Sequence, residues 1–348
     1  MKIIIVGLGW AGQAHFRAIR ALQQCDEDCC VVAVVDTDAQ HLAATASELD
    51  ASCTHANLAE AISAHDDANA VVVATPHDNH RLVCEQAAAA GMNVLVEKPV
   101  AVTLADADAM IEACDKAGVT LMVAESARYN LPQIEAAEVV ASGRIGQILS
   151  GRVNSIGRGR HTYSYSGRRA WLADPATPGA GIWMLNGIHE MSAARMLFGQ
   201  VNRIYARQVN SDKYQSPLEA TIVAMVSFDT GAEVTVTLSA ELHGYERFAD
   251  ILVFGSEGTL YLQRSSGALT VCTEQSGTEV IDCSEGPQAG ASPNFVRQLQ
   301  EFIQAVEEQR EPETGGQSER ETLAAILAGY ESVRTGDPVE LEHFERQE

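Results

Sequence analysis

Two stretches of this sequence carry residues whose type and spacing suit chemistry. NVLVEKPVAV, residues 93–102, sets Glu97, Lys98 and Pro99 where an apolar run of Val and Leu would otherwise continue. Burying an unpaired lysine costs several kcal/mol, so these charges belong to a turn or to a site that uses them. IIIVGLGWAGQAHFRAI, near the start, spaces Gly7, Gly9 and Gly12 as GxGxxG between a strand-like and a helix-like segment. There the first glycine permits a tight turn and the second lets the backbone approach a pyrophosphate. The third packs helix on strand, and the helix N-terminus attracts the anion.

The next strand-like run, VVAVVD, ends in Asp36. A carboxylate at that point can accept hydrogen bonds from both ribose hydroxyls of a dinucleotide, its other use being to cap the following helix. It also repels a 2′-phosphate, and TDAQHL after it holds no Lys or Arg. NAD is therefore expected over NADP, with Gly7, Gly9, Trp10, Ala11, Gly12 and Asp36 as its contacts. ATPHDNH ends a later strand and places Thr75, Pro76 and His80 along the same rim, where Glu97 and Lys98 also emerge. Open α/β sheets bind ligands at that edge. From Gly151 to Ala173 lie Arg152, Arg158, Arg160, Arg168 and Arg169 with no acid between them. Arg128, Arg168, Trp171 and Asn186 are the candidate substrate contacts, Arg being suited to a carboxylate or phosphate and Trp171 to stacking on a ring. A subunit interface is the other use for such arginines.

The elements that would position these residues follow from patterning. KIIIVG, VVAVVD, AVVVAT, NVLVE and TLMVAE are near-continuous apolar runs, as expected of parallel strands buried on both faces. Ala-rich helical segments separate them, which predicts a doubly wound α/β domain over residues 1–124. Over 125–348 the pattern changes. Arg128 to Arg144 reads as a helix, and GAGIWMLNGIHEMSAARMLFG as a Gly-led helix. Short period-2 strands joined by Gly-rich turns then predict a large, mainly antiparallel sheet, and two final helices span about Asn294–Gln309 and Ser318–Thr335.

Composition narrows the class. With 348 residues, 46% hydrophobic and 20% charged, the chain is long enough for two cores. A formal charge of −23 argues against a nucleic-acid partner, which needs a basic face. No apolar run is long enough to span a membrane and no leader precedes IIIVG, so a cytoplasmic protein is expected. The eight cysteines form no CxxC pair and read as reduced structural thiols, and no metal site is expected.

GLGWAGQAH, ATPHDNH, VEKP, the Gly-led helix with GIH and the FGSEGTLYL strand pair together resemble the Gfo/Idh/MocA oxidoreductases, named for glucose-fructose oxidoreductase, inositol dehydrogenase and rhizopine catabolism. The resemblance spans nearly the whole chain. It implies a Rossmann domain followed by a domain whose sheet often makes an oligomer contact, hence a homodimer or homotetramer. It implies that Lys98 is catalytic, that Glu97 positions it or the cofactor, that Lys98-Pro99 is a cis peptide, and that His189 is the catalytic histidine of an Asp-x-Gly-x-His motif. Two positions depart from that pattern. Leu185 replaces the Asp four residues before His189, and Ser192 replaces the acid three residues after it. The implied activity is hydride transfer between NAD and the secondary alcohol of a sugar, inositol or other cyclic polyol. The alternatives are a dihydrodiol or carboxylated ring substrate, an NAD-dependent glycosidase, and a cofactor-binding sensor without chemistry.

Overall fold

A computed structural model describes all residues except 26, 158–166, 213–216, 242–247, 265–266 and 347–348, together with all but the side chains of Arg168, Arg169 and Phe248. By compactness the chain forms two units, Met1–Tyr129 with Gly286–Arg320, and Asn130–Glu285 with Glu321–Glu348. Sequence patterning placed one division after Ala124; compactness instead assigns Gly286–Arg320 to the first unit.

The first unit alternates strand and helix: β1 (Lys2–Val6), α1 (Trp10–Gln23), β2 (Cys30–Val35), α2 (Ala39–Leu49), β3 (Thr54–His55), α3 (Leu58–Ala64), β4 (Ala70–Val73), α4 (His80–Ala89), β5 (Asn93–Glu97), α5 (Leu104–Ala117) and β6 (Leu121–Ala124). The strands pair in parallel in the order β3-β2-β1-β4-β5-β6. Helices cover both faces, so β4 is buried at every residue, which is why its sequence is unbroken Ala-Val-Val-Val. Strand order reverses between β1 and β4, and the carboxyl ends of these strands therefore frame a crevice. Part of the core comes from far along the chain. Phe295, Leu299 and Phe302 join Ile3, Phe16 and Ile19 in one buried cluster, carried on helix Pro293–Glu308.

The second unit begins with α6 (Leu131–Ala141) and β7 (Ile148–Ile156), followed by a 3-10 stretch over Gly167–Ala173, a π-helical turn over Trp183–Gly187 and α7 (Ile188–Phe198). Strands β8 (Val201–Gln208), β9 (Thr221–Phe228), β10 (Glu233–Ser239), β11 (Phe248–Gly255), β12 (Gly258–Gln263), β13 (Ala268–Thr273) and β14 (Gly277–Asp282) come next. Beyond them are α8, the helix Pro293–Glu308 already placed in the first unit, then α9 (Gly316–Thr335), β15 (Val339–Glu340) and α10 (Leu341–Glu345). Nine strands form one sheet, ordered β14-β13-β12-β11-β7-β10-β9-β8-β15. All its pairings are antiparallel except β7 with β10. Burial alternates along β9 and β10, so one face is packed and the other is open. On the packed face Gly151 of β7 admits the ring of Phe198 from α7, since a Cβ at Gly151 would lie 2.3 Å from that ring. All eight cysteines are free thiols. Burial pushes the Cys114 thiol up to about 12, so it stays protonated and unreactive.

Candidate active site

The glycine loop has the shape its sequence implies. Gly7 has φ +93° and packs on the Ala74 carbonyl, leaving no room for a side chain. A Cβ on Gly12 would lie 1.9 Å from the Gly7 carbonyl oxygen, so helix α1 can start this close to β1 only with glycine there. Gly9 meets open space, and Trp10 beside it is exposed. Asp36 is almost buried, and its two carboxylate oxygens accept from the Leu8 and Asp38 N–H groups, at 3.0 Å each. The cap of helix α2 is instead Asp38, whose side chain accepts from the Gln40 and His41 amides. Asp36 is thereby free of the capping role and fixes the loop against β2.

Across the strand reversal, β5 delivers Glu97 and Lys98 to the same sheet edge, and the Lys98–Pro99 bond is cis. Buried histidines hold this turn from below. His15, from helix α1, is 0% exposed and its Nε2 lies 2.9 Å from the Glu97 Oε1. Its Nδ1 has no hydrogen-bond partner among the described residues, so Nε2 is the ring nitrogen that donates to Glu97. His80 was expected on the rim as a cofactor contact. It is fully buried beneath it, with Nδ1 3.0 Å from the Pro99 carbonyl and 3.3 Å from that of Val100, and Nε2 3.2 Å from that of Thr75. Burial lowers the His80 pKa, against the pull of those carbonyls and of Glu97. With one N–H in its neutral ring, His80 sits between the Thr75-Pro76 rim and the Lys98-Pro99 turn and donates to a carbonyl on one side only. Thr75 itself keeps a buried Oγ1 with no partner among the described residues, on the crevice edge where a ligand would supply one.

These features fit a dinucleotide. The loop offers open space over Gly9 and an anion-attracting helix start, Asp36 is a fixed acceptor, and Thr75 is an unused polar group at the edge. Arg128 follows β6 in the 3-10 turn Ser126–Tyr129 and is half-buried.

In the second unit His189 is half-buried on α7, one residue into the helix. The Gly-led segment before it is not a plain α-helix: Trp183–Gly187 forms a π-turn, with more residues per revolution. Asn186, the fourth residue of this turn, is half-buried like His189, while Leu185 is buried. The turn is anchored from outside. Glu219, 4% exposed, accepts from the Trp183 N–H and the Tyr330 hydroxyl, both at 2.8 Å. Trp183 donates its Nε1–H to the Ile326 carbonyl at 2.9 Å, and Met184 N–H donates to Tyr330 at 3.2 Å. Gly181, at φ +103°, leaves the room that the Glu219 carboxylate fills. Beyond His189, Glu190 forms a buried ion pair with Arg264. Of the arginine-rich stretch, Arg152 pairs with Asp250 at 3.2 Å on the sheet and Trp171 is half-buried. Arg158 and Arg160 lie outside the described residues, as do the side chains of Arg168 and Arg169.

Residues 1–125 match a family described as oxidoreductase family, NAD-binding Rossmann fold, and residues 134–261 match the GFO/IDH/MocA C-terminal domain. The chain belongs to the Gfo/Idh/MocA oxidoreductases. It is 31% identical to a D-apiose dehydrogenase of Paraburkholderia graminis over 99% of this chain and 91% of that one. A D-xylose 1-dehydrogenase (NADP(+)) of Haloferax volcanii is 27% identical, over 96% and 98%. Among solved structures, an oxidoreductase from Agrobacterium radiobacter in complex with NAD+, L-tartaric acid and magnesium superposes with a TM-score of 0.88 at 25% identity, covering 99% of both chains. As a Gfo/Idh/MocA member the protein is a dehydrogenase built on an NAD(P)-binding domain.

His15, Glu219 and Tyr330 support the candidate site without being candidates on sequence alone. His15 belongs to the motif GLGWAGQAH. Glu219 and Tyr330 belong to no motif that was read.

Proposed function

We propose that this protein oxidises a secondary alcohol of a sugar or cyclic polyol, or reduces the matching ketone, with NAD preferred over NADP. The observation that carries this is the fixed edge of the first sheet, where the Lys98 turn and the Asp36 carboxylate flank one strand reversal. The bound dinucleotide supplies the hydride acceptor. Lys98 takes the proton of the substrate hydroxyl, and His189 hydrogen-bonds that hydroxyl. Glu97, oriented by the His15 N–H, holds the turn that carries Lys98. Asp36 disfavours a 2′-phosphate by charge repulsion, and residues 37–42 supply no cation to offset it. The relatives named for apiose and xylose support sugar over other alcohols.

The test is NAD and NADP reduction across a panel of pentoses, hexoses, inositols, cyclic diols and ring carboxylates. A sugar or inositol should be turned over with kcat/KM for NAD at least about tenfold that for NADP. Turnover of ring carboxylates alone, or a tenfold preference for NADP, sinks the assignment. We further propose a homo-oligomer formed through the open sheet face, where Tyr205, Val223, Met225 and Phe254 are exposed. Light scattering at micromolar concentration should give a multiple of 37.3 kDa, and a monomer refutes it.

A further inference from the structure

We propose that His41 and Gln13 are positioning residues for the dinucleotide: by holding the Leu8 carbonyl they aim the Gly9 N–H at the pyrophosphate. The inference rests on the reading that the glycine loop cradles that group. Leu8 lies between Gly7 and Gly9, and both polar groups of its backbone are taken. Its N–H donates to the Asp36 Oδ2 at 3.0 Å. Its carbonyl accepts from the His41 Nε2 at 2.9 Å and from the Gln13 Nε2 at 3.1 Å, one donor for each lone pair. A carbonyl oxygen only accepts, so the His41 ring carries a hydrogen on Nε2. Two contacts fix that ring. Asp38 caps α2 and accepts from the His41 amide at 3.1 Å, which sets the His41 backbone in the first turn. Thr45, one turn along and 3% exposed, sets its hydroxyl against the ring edge, 3.3 Å from Nδ1 and 3.4 Å from Nε2. Gln13 is placed by α1, where its own N–H donates to the Gly9 carbonyl at 3.1 Å.

The consequence falls on the neighbouring donor. The Leu8 carbonyl and the Gly9 N–H belong to one peptide unit, which is trans, and in a trans unit the two groups point to opposite sides. Drawing the carbonyl toward His41 and Gln13 therefore turns the Gly9 N–H away from them. That N–H has no partner among the described residues. Gly9 is the residue that precedes α1, and the space around it is open. A donor there, at the positive end of a helix, suits a phosphate oxygen. Glycine is conformationally permissive, so without the two side chains the Leu8–Gly9 unit is free to rotate and to present its carbonyl oxygen where the anion must lie. Oxygen would then face oxygen. With both donors in place, the loop is oriented before the dinucleotide arrives.

The experiment measures Kd by calorimetry for NADH, ADP and adenosine on wild type, His41→Met, Gln13→Met, the double variant and His41→Gln. His41→Met and Gln13→Met each remove one donor at similar size and should weaken NADH and ADP binding roughly three- to tenfold, the double variant more than either. Adenosine carries no phosphate, and its Kd should change less than about twofold because no hydrogen bond to it is lost. His41→Gln has a terminal amide N–H to take the place of Nε2 and should bind NADH within about twofold of wild type. Gln13→Met, on the other donor, carries the test if His41→Met does not fold. Equal weakening of adenosine and ADP would mark a general distortion of the pocket, and a loss in His41→Gln as large as in His41→Met would mark lost packing; either overturns the proposal. If wild type binds neither NADH nor ADP, the dinucleotide reading fails and this inference with it. If wild type binds both and the double variant binds them as tightly, only the positioning role fails.

Discussion

The surroundings of Lys98 and of His189 differ in where their supports come from. Lys98 stands at the end of a strand buried within a parallel sheet, and the groups that fix its turn sit on the helices that follow neighbouring strands: His15 of α1 beside Glu97, and His80 at the start of α4 between Thr75 and Pro99. His189 stands just past a π-turn whose supports, Glu219 and Tyr330, are contributed by segments far away in sequence. A sheet edge inherits its geometry from strand register, so short motifs suffice to specify it. A helix entrance of irregular pitch does not inherit anything, and must be tied down by distant residues that leave no local signature.

The comparison can be broken most directly at the two side chains themselves. Lys98→Ala should lose on the order of 10²- to 10⁴-fold in kcat, the range for a positioned acid-base group, and His189→Ala less. Cofactor affinity, measured by fluorescence titration, should change little in either. If His189→Ala is the more damaging change, the proton is taken from the second unit and the division of roles reverses.

A smaller effect is expected from Glu219. Truncation to Ala leaves the Trp183 N–H and the Tyr330 hydroxyl without their buried acceptor, which costs about 2–3 kcal/mol. Glu219→Gln retains a carbonyl oxygen for both donors and should cost less than about 1 kcal/mol. Desolvation raises the Glu219 pKa above 4.5, opposed by those same donors. A carboxyl with a raised folded value favours folding below its unfolded pKa, and that contribution falls as pH rises through the folded value. Glu219→Gln should therefore flatten the loss of stability on going from pH 4.5 toward neutrality. Chemical denaturation at several pH values checks both statements, and equal destabilisation by Ala and Gln would remove Glu219 as the anchor of the turn.

The same contrast explains what could be read without coordinates. Five strands of the first sheet were legible because burial on both faces makes each an apolar run; β3, only two residues long, was not. In the second sheet β9 and β10 alternate cleanly, whereas β14 is exposed at nearly every position and shows no period to read. The π-turn leaves no period of its own in the sequence, since Glu219, which accepts from the Trp183 N–H, meets the turn only in three dimensions. Gly7, Gly12, Asp36, Glu97 and Lys98 were all legible as a group. The burial of His80 was not, since a histidine in a loop motif looks the same whether it faces a ligand or three carbonyls.

Helix α8 has a consequence for how the protein comes into being. Its Phe295 packs edge-on against both Trp10 and His15, with centroids 5.9 and 5.0 Å apart, directly behind the glycine loop. The part of the chain that leaves the ribosome first therefore cannot close its own core until one of the last segments has been made. A fragment ending at residue 125, although it contains every strand of the first sheet, would present a raw apolar surface where α8 belongs. During synthesis, the nascent first sheet must wait with that surface uncovered, the condition under which chains recruit chaperones or aggregate.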